Sequence, residues 1–244
     1  MTDNTRIKRR QTSEEMNDLY AKETHKNASL EGCMPSIERQ QILAKLLQPS
    51  GILLDIGCWN GSFSQYLHGT KYIGVDINRQ ALEKAKSKKI DVVLASCDFL
   101  PFRSKSFDAC SMIEVIEHLY FPEKAVKEAH RVLKQNGTLI LATPNFVNFI
   151  DRINVLIGKN IISMEHQHIR FFTWKTLNDF LRRCGFELER RKTWFLPFPE
   201  RRVTKKYPSW RKFMRFAAKL FPNFDECLLG KWRKVKEESE FVAD

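Results

Sequence analysis

The chain has 244 residues, enough for one large domain, and its 43% hydrophobic and 29% charged residues match a folded globular protein. Disordered and fibrous classes are excluded, and no run approaches the 18 apolar residues that a membrane-spanning helix needs. The net charge of +12 belongs to one region, because residues 182–236 contain 17 Lys and Arg against five acids and the rest is balanced.

The cysteines and the first residues bear on the compartment. The six cysteines lie far apart without a C-x-x-C pair, which is typical of reduced thiols and not of a disulfide framework or a zinc ribbon. The stretch Met1–Arg6 continues into polar sequence and not into the apolar core of a signal peptide. We therefore expect a cytoplasmic protein.

The N-terminal part contains a polar arm and a first helix. Residues 1–30 show no apolar periodicity and predict an arm, or a lid that orders on a ligand. An amphipathic helix is predicted to begin after Pro35-Ser36 and to end at Pro49-Ser50-Gly51. Its apolar stripe consists of Ile37, Ile42, Leu43, Leu46 and Leu47.

Short apolar runs then alternate with helical or turn-rich segments. Strands that alternate with helices at this spacing predict an α/β fold, Rossmann-like and doubly wound, with a mostly parallel sheet and helices on both faces. The predicted strands are Ile52–Ile56, Tyr72–Val75, Val92–Ala95, Ala109–Ile113 and Thr138–Ala142.

The C-terminal third adds a helix, a strand and a basic aromatic region. The helix runs from Thr173 to Cys184 and ends at Gly185, and Phe186–Arg191 is a further strand. Within residues 196–244, Pro208–Phe221 has the period of an amphipathic helix with its basic residues mostly off the apolar stripe. We favour a lid helix that packs on the chain's own core. An anionic membrane surface and a nucleic-acid strand are the alternative partners.

The loop after the first strand, Leu53–Ser62, is the most informative stretch. A buried strand ends in an acid and turns through Gly57 and Gly61, and in open α/β sheets ligands bind at such loops. A dinucleotide fingerprint would need glycines at 57, 59 and 62, but Trp59 and Ser62 occupy two of these positions. The phosphate-binding P-loop lacks its Gly-Lys-Ser/Thr ending and is also excluded.

This loop resembles motif I of the class I S-adenosylmethionine-dependent methyltransferases, written D-x-G-x-G-x-G, in the branch of quinone-biosynthesis O-methyltransferases. Asp55, Gly57 and Gly61 match the motif, and Trp59 stands where the middle glycine is usual. The resemblance implies a sheet of about seven strands, with S-adenosylmethionine as the methyl donor. It assigns residues 31–195 to the methyltransferase domain, with an acceptor-side insertion at 144–172, and implies that the last, antiparallel strand lies near Cys227–Trp232.

Further cofactor residues follow in the family's order. Asp76 ends the second strand, at the spacing of an acid that accepts both ribose hydroxyls. Asp98 and Phe99 follow the third strand, where the family places an acid near the adenine amino group and an apolar residue against the ring. The resemblance further implies that Cys58, Ile77 and Glu114 line the cofactor site.

The end of the fourth strand is the expected place of the acceptor chemistry. It carries Glu114, Glu117 and His118, and the resembling O-methyltransferases have a similar E-V-x-E-H sequence. We expect His118 to be the general base, with Glu117 and Glu114 as the other catalytic residues, because an unperturbed imidazole titrates near neutral pH. A structural role for Glu117 and His118 is the alternative.

A second resemblance concerns a metal. Glu114, Glu117 and His118, followed by His168 in His166-Gln167-His168, resemble the ligand set of small-RNA 2′-O-methyltransferases, which implies a divalent cation that holds the acceptor hydroxyls. Two carboxylates and imidazoles suit Mg²⁺, Mn²⁺ or Zn²⁺. We favour the metal-free role of His118 as a base.

The expected function is O-methylation of a small-molecule hydroxyl by S-adenosylmethionine. The alternatives are a methyltransferase that acts on RNA or protein, suggested by the basic region, and a non-catalytic S-adenosylmethionine-binding partner, suggested by Trp59. We do not expect nucleic acid as a partner, because no motif that reads bases is present.

Overall fold

The computed structural model describes residues 37–47, 51–159, 168–193, 216 and 220–235. Seven strands form one sheet in these residues, flanked by helices. The strands are β1 Ile52–Ile56, β2 Lys71–Asp76, β3 Asp91–Leu94, β4 Phe107–Ile113, β5 Leu133–Pro144, β6 Phe186–Lys192 and β7 Cys227–Lys234. The α-helices are α1 Ile37–Leu47, α2 Arg79–Ser87, α3 Pro122–Val132, α4 Phe149–Leu156 and α5 Trp174–Arg183.

The strand order is β3-β2-β1-β4-β5-β7-β6. Strands β1 to β5 are parallel neighbours, and β7 runs antiparallel between β5 and β6. This topology confirms the predicted α/β fold with its mostly parallel sheet. Strands β1 to β3 form one half of the sheet and β4 to β7 form the other, so the strand order reverses between the neighbouring strands β1 and β4. In open α/β sheets, ligands bind at the carboxyl ends of the strands at such a point.

Alternate residues of the central strands face two separate hydrophobic cores. Leu54 of β1 and Met112 of β4 face a core that α3 and α5 cover. Leu53 and Ala109, on the same two strands, face a second core that α1 covers. Each central strand is therefore buried on both faces, which explains why the strands appear in the sequence as continuous apolar runs.

Several local expectations are confirmed. The predicted helix before Gly185 is α5, and Thr173 caps it through a hydrogen bond from the N–H of Thr176. The segment after Gly61 is a short 3-10 helix, Ser62–Tyr66, so a tight turn follows the first loop. The strand near Cys227 exists and belongs to the same sheet as the rest of the domain.

Two predicted segments lie outside the described residues: the arm at 1–30 and most of the basic helix Pro208–Phe221. In the described part of the chain, no helix has the length and apolar character needed to cross a membrane.

Candidate functional site

The loop that follows β1 turns sharply over the end of β2. The main-chain N–H groups of Gly57 and Cys58 both donate to the carbonyl oxygen of Val75, at 2.8 and 3.0 Å. Gly57 and Gly61 have φ angles of 76° and 68°, in the left-handed region that glycine adopts readily. A Cβ atom on Gly57 would also overlap Val115, which follows β4. The backbone there has no room for a larger residue.

Trp59 lies between these glycines, where the motif usually has a third. Its φ of 50° is left-handed, a conformation that bulky residues rarely adopt. The strained conformation directs the main-chain N–H of Trp59 to Oδ2 of Asp76, at 2.8 Å. The loop therefore keeps a glycine-like backbone at this position although the side chain is an indole. Strain of this kind is typical of functional loops.

Asp76 ends β2 with its carboxylate held from two sides. Oδ1 accepts a hydrogen bond from the N–H of Asn78 at 2.8 Å, and Oδ2 accepts the one from Trp59. Burial raises the pKa of Asp76, and the main-chain hydrogen bonds from Asn78 and Trp59 oppose this shift. A carboxylate has about four acceptor positions in total, so the main-chain contacts do not use all of the acceptor capacity of Asp76.

Asp55 lies beneath the loop and ties three strands together. The hydroxyl of Tyr72 on β2 donates to its Oδ2, and that of Ser111 on β4 donates to its Oδ1, both at 2.6 Å. Burial raises the pKa of Asp55 to about 6, although both hydroxyls lower it. These contacts give Asp55 a role in supporting the loop, while its predicted contact with the cofactor stays a prediction.

The remaining predicted cofactor residues lie along the same edge of the sheet. The side chain of Cys58 is buried, and its Sγ packs against Gly74. A cofactor bound at the loop after β1 would therefore contact the main chain of Cys58 and not its thiol. After β3, Asp98 is buried and the neighbouring Phe99 is 38% exposed. Ile77 is half-buried beside Asp76. An acid next to an accessible aromatic ring suits the amino group and the face of an adenine.

Glu114 leaves β4 in a left-handed conformation, with a φ of 57°. Its Oε1 accepts a hydrogen bond from Nη1 of Arg39 on α1 at 2.9 Å, and the two side chains are only 19% and 13% exposed. On the same helix, Gln40 accepts a hydrogen bond from the hydroxyl of Ser62 at 3.2 Å. Helix α1 therefore contacts both the loop after β1 and the loop after β4.

The turn after β4 brings Glu117 and His118 together with His168. Oε1 of Glu117 lies 3.9 Å from Nε2 of His118, and the ring centroids of His118 and His168 are 4.8 Å apart. The chain after His168 is held here because the N–H groups of Ile169 and Arg170 both donate to the carbonyl oxygen of Glu117. The predicted proximity of these three residues is therefore present.

Glu117 and His118 differ in their environments. The carboxyl group of Glu117 is 2% exposed, and its Oε2 accepts a hydrogen bond from the hydroxyl of Thr143 at 2.9 Å. Its Oε1 has no hydrogen-bond partner among the described residues. Burial first, and the charge of Glu114 second, raise the pKa of Glu117 well above its usual range. The side chain of His118 is 17% exposed and is therefore more accessible than that of Glu117.

Three of the four residues in the implied metal set could hold a divalent cation. Glu117, His118 and His168 each offer a donor atom within 4.8 Å of the other two. One carboxylate with two imidazoles suits first-row divalent metals, and the buried Oε1 of Glu117 fits a cation ligand. Glu114 does not join this group, because Arg39 engages its carboxylate. His166 lies outside the described residues.

The sequence did not point to the residues that support the site from behind. Tyr72 and Ser111 hold Asp55, Thr143 holds Glu117, and Arg39 holds Glu114. Each belongs to a regular strand or helix far along the chain from its partner, so no local motif marks it. A polar residue in an otherwise apolar strand, as at Ser111 and Thr143, is the one signal available.

Comparisons with known proteins agree with this arrangement. A family profile described as a methyltransferase domain matches residues 54–141. A solved structure of a SAM-dependent methyltransferase from Thermotoga maritima, described as a possible histamine N-methyltransferase, is 31% identical with a TM-score of 0.52. The matched region covers 61% of this chain and 69% of the Thermotoga maritima chain. An uncharacterized protein of Methanocaldococcus jannaschii is 31% identical over 62% of this chain and 68% of the relative.

Two further relatives differ in their acceptors. The ubiquinone biosynthesis O-methyltransferase of Pelagibacter ubique is 35% identical over 38% of this chain and 42% of the relative. The tRNA (carboxymethyluridine(34)-5-O)-methyltransferase of Arabidopsis thaliana is 33% identical over 38% of this chain and 24% of the relative. The chain spans less than half the length of these two relatives. It belongs to the S-adenosylmethionine-dependent methyltransferases, and S-adenosylmethionine is its methyl donor.

Proposed function

We propose that the protein transfers the methyl group of S-adenosylmethionine to a hydroxyl of a small molecule. The observation that supports this proposal best is the pairing of a partly exposed imidazole, His118, with the buried carboxyl group of Glu117 at the end of β4. This position lies beside the loop after β1, residues 57–61, which we call the cofactor loop. An acceptor bound there would lie next to the methyl group. A hydroxyl is a poor nucleophile while it keeps its proton, so a hydroxyl acceptor gains from a base at this position.

The reaction is a direct displacement. An electron pair of the acceptor oxygen forms the new bond to the methyl carbon while the carbon–sulfur bond breaks and its electrons neutralise the sulfonium. The hydroxyl proton goes to His118, and the carboxyl group of Glu117, fixed by Thr143, lies 3.9 Å from Nε2 of the imidazole. Most of the acceleration comes from holding the two reactants in line, so no covalent enzyme intermediate is required.

A bound cation is a second route to the same chemistry, favoured by the convergence of Glu117, His118 and His168. These three residues would hold the ion, which lowers the pKa of a coordinated hydroxyl. The acceptor and the products are the same in both cases. The two routes differ only in whether His118 binds a proton or a metal.

Three basic residues among the described part of 182–236 are engaged inside the fold, which lowers the charge that this region offers to an RNA acceptor. Lys234 is 2% exposed and its Nζ donates to the carbonyl oxygens of His130 and Leu133. The Nζ of Lys231 lies 3.5 Å from a carboxylate oxygen of Glu189, and Arg191 stacks on the ring of Trp174 at 4.1 Å. Part of the positive charge of residues 182–236 is therefore used inside the fold, although phosphate binding needs accessible cations.

The test is a transfer assay with methyl-labelled S-adenosylmethionine and fractionated small-molecule and RNA pools. We expect label in a small molecule, as an ether that resists mild base. Label that appears only in RNA, or tight binding to one RNA at physiological salt, would overturn the small-molecule acceptor. Binding of S-adenosylmethionine without transfer to either pool would favour the non-catalytic alternative.

A further inference from the structure

The main chain of Arg170 is joined to the turn that carries His118. The N–H of Arg170 donates to the carbonyl oxygen of Glu117 at 3.0 Å, and Glu117 directly precedes His118. Arg170 also follows His168 by two residues, and the ring centroids of His168 and His118 are 4.8 Å apart. The arginine therefore starts beside both imidazoles of the candidate acceptor site.

The side chain of Arg170 is held by carbonyl oxygens and not by a carboxylate. Its Nη2 donates to the carbonyl oxygen of Tyr120 at 2.7 Å, and its Nε donates to that of Leu119 at 3.4 Å. Among the described residues, no carboxylate pairs with this guanidinium and none accepts a hydrogen bond from Nη1. Because a guanidinium stays charged, Arg170 presents an oriented positive charge with a donor left for a ligand.

The two glutamates of this edge do not cancel that charge at the surface. The carboxylate of Glu114 pairs with Arg39, and the carboxyl group of Glu117 is only 2% exposed. Arg170 itself is exposed. An acceptor that approaches His118 therefore meets a fixed cation, which favours a ligand with a negatively charged oxygen.

We propose that Arg170 binds an oxyanion of the small-molecule acceptor, either a carboxylate or a phosphate group, and so directs the acceptor's hydroxyl toward His118. The N–H groups of a guanidinium match the geometry of both oxyanions. Ether formation at the hydroxyl leaves this anionic group unchanged. The proposal rests on the small-molecule hydroxyl acceptor proposed above and adds the chemical class of that acceptor.

The first test measures anion binding without methyl transfer. Inorganic phosphate and acetate are titrated separately at constant ionic strength, with a chelator present so that no cation contributes, while NMR follows the ring C–H signals of His118 and His168. We expect these signals to shift in the wild type, and the anion that binds more tightly indicates phosphate or carboxylate. Arg170→Gln is expected to bind the anion about tenfold more weakly or worse. Arg170→Lys, which keeps the charge, is expected to bind more tightly than Arg170→Gln.

Arg152→Gln is the matched control. The Nε of Arg152 donates to the carbonyl oxygen of Val147, and its guanidinium lies 4.9 Å from the ring centroid of Phe224. Arg152 is thus an exposed arginine that is also held by a carbonyl oxygen, but its contacts are not with the turn that carries His118. We expect wild-type anion binding in this variant. Wild-type binding in Arg170→Gln, or no anion binding by the wild type, would overturn the proposal.

The second test determines the charge of the methylated product. With methyl-labelled S-adenosylmethionine and a small-molecule pool, we expect the labelled product to bind an anion-exchange column at neutral pH. Loss of this retention after phosphatase treatment identifies a phosphate, and unchanged retention identifies a carboxylate. A neutral labelled product would overturn the anionic acceptor and leave the proposed function in place. Absence of any labelled small molecule, with anion binding through Arg170 intact, would contradict the proposed function and not the anion site.

Discussion

The main-chain N–H of Trp59 donates a 2.8 Å hydrogen bond to Oδ2 of Asp76. This bond joins the loop after β1 to the acid at the end of β2, the two features that the sequence pattern placed at the cofactor site. The hydrogen bond depends on the left-handed backbone of Trp59. The motif usually has glycine at this position, and the main-chain contact is kept although the side chain here is an indole. The hydrogen bond also fixes the carboxylate before a ligand arrives, which reduces the cost of binding.

The first prediction concerns Asp76. We predict that Asp76 accepts the ribose hydroxyls, so Asp76→Ala is expected to lose about 1.5–3 kcal/mol in binding S-adenosylmethionine, the range for hydrogen bonds to a charged group. Calorimetry measures this loss. Asp91→Ala is the control, because Asp91 is exposed at the opposite end of the neighbouring strand β3. Wild-type affinity in Asp76→Ala would remove this residue from the site.

Gly57 provides a test of the loop geometry. Gly57 and Gly69 have nearly the same left-handed φ, 76° and 74°, but a Cβ on Gly57 overlaps Val115 whereas one on Gly69 meets nothing within 4 Å. We expect Gly69→Ala to cost about 1–2 kcal/mol of unfolding free energy from the backbone alone. Gly57→Ala adds an overpacking cost of about 1–3 kcal/mol.

Urea unfolding of the two glycine variants and the wild type gives both costs. Only Gly57→Ala is expected to weaken S-adenosylmethionine binding, because only this glycine shapes the cofactor loop. If the two variants lose equal stability and bind the cofactor equally well, the close packing of Gly57 on Val115 has no role in the site.

The buried Asp55 predicts a pH dependence of stability. Its pKa of about 6 in the folded protein lies above the unfolded value near 4. The folded state therefore retains a proton that the unfolded state releases, and stability falls as the pH rises from about 4 to 6. By linkage, this one group removes about 2 kcal/mol of stability between pH 4.5 and pH 7.

Asp55→Asn removes this contribution, and its single amide oxygen keeps an acceptor for one of the two hydroxyls, that of Tyr72 or that of Ser111. Urea unfolding at pH 4.5 and pH 7 is expected to show that the wild type loses about 2 kcal/mol more than the variant over this interval. The comparison cancels the other buried acids, which are common to both proteins. Identical pH profiles would mean that Asp55 stays ionised in the folded protein throughout.

The fourth prediction separates the two roles of His118. If it acts as a base, His118→Ala loses about 10²- to 10⁴-fold in the rate of methyl transfer. The wild type treated with a chelator then keeps its activity, and His168→Ala has only a small effect. His68→Ala is the control, because His68 is exposed on the loop before β2. Loss of activity on chelation, restored by Mg²⁺ or Mn²⁺, would instead support the cation route.

Local sequence patterns were enough to predict the strands, the glycine turn and the acids at the strand ends. An apolar run such as Ile52–Ile56 has to be buried on both faces, and a turn as tight as that at Gly57 needs a left-handed backbone. These requirements act within a few residues, so they appear directly in the chain. The order of Asp55, Asp76 and Asp98 then indicated the edge of the sheet at which we expect the cofactor to bind.

Contacts between distant segments were decided only by the tertiary structure. Strand β7 lies between β5 and β6, Arg39 meets Glu114, His168 meets His118, and Lys234 is buried against the end of α3. In each case the partners are far apart in the chain, and packing of whole helices and strands brings them together. A charge or an imidazole has the same local sequence signal whether it faces solvent or a partner. The chemistry of the acceptor side therefore depends on packing that no short motif records.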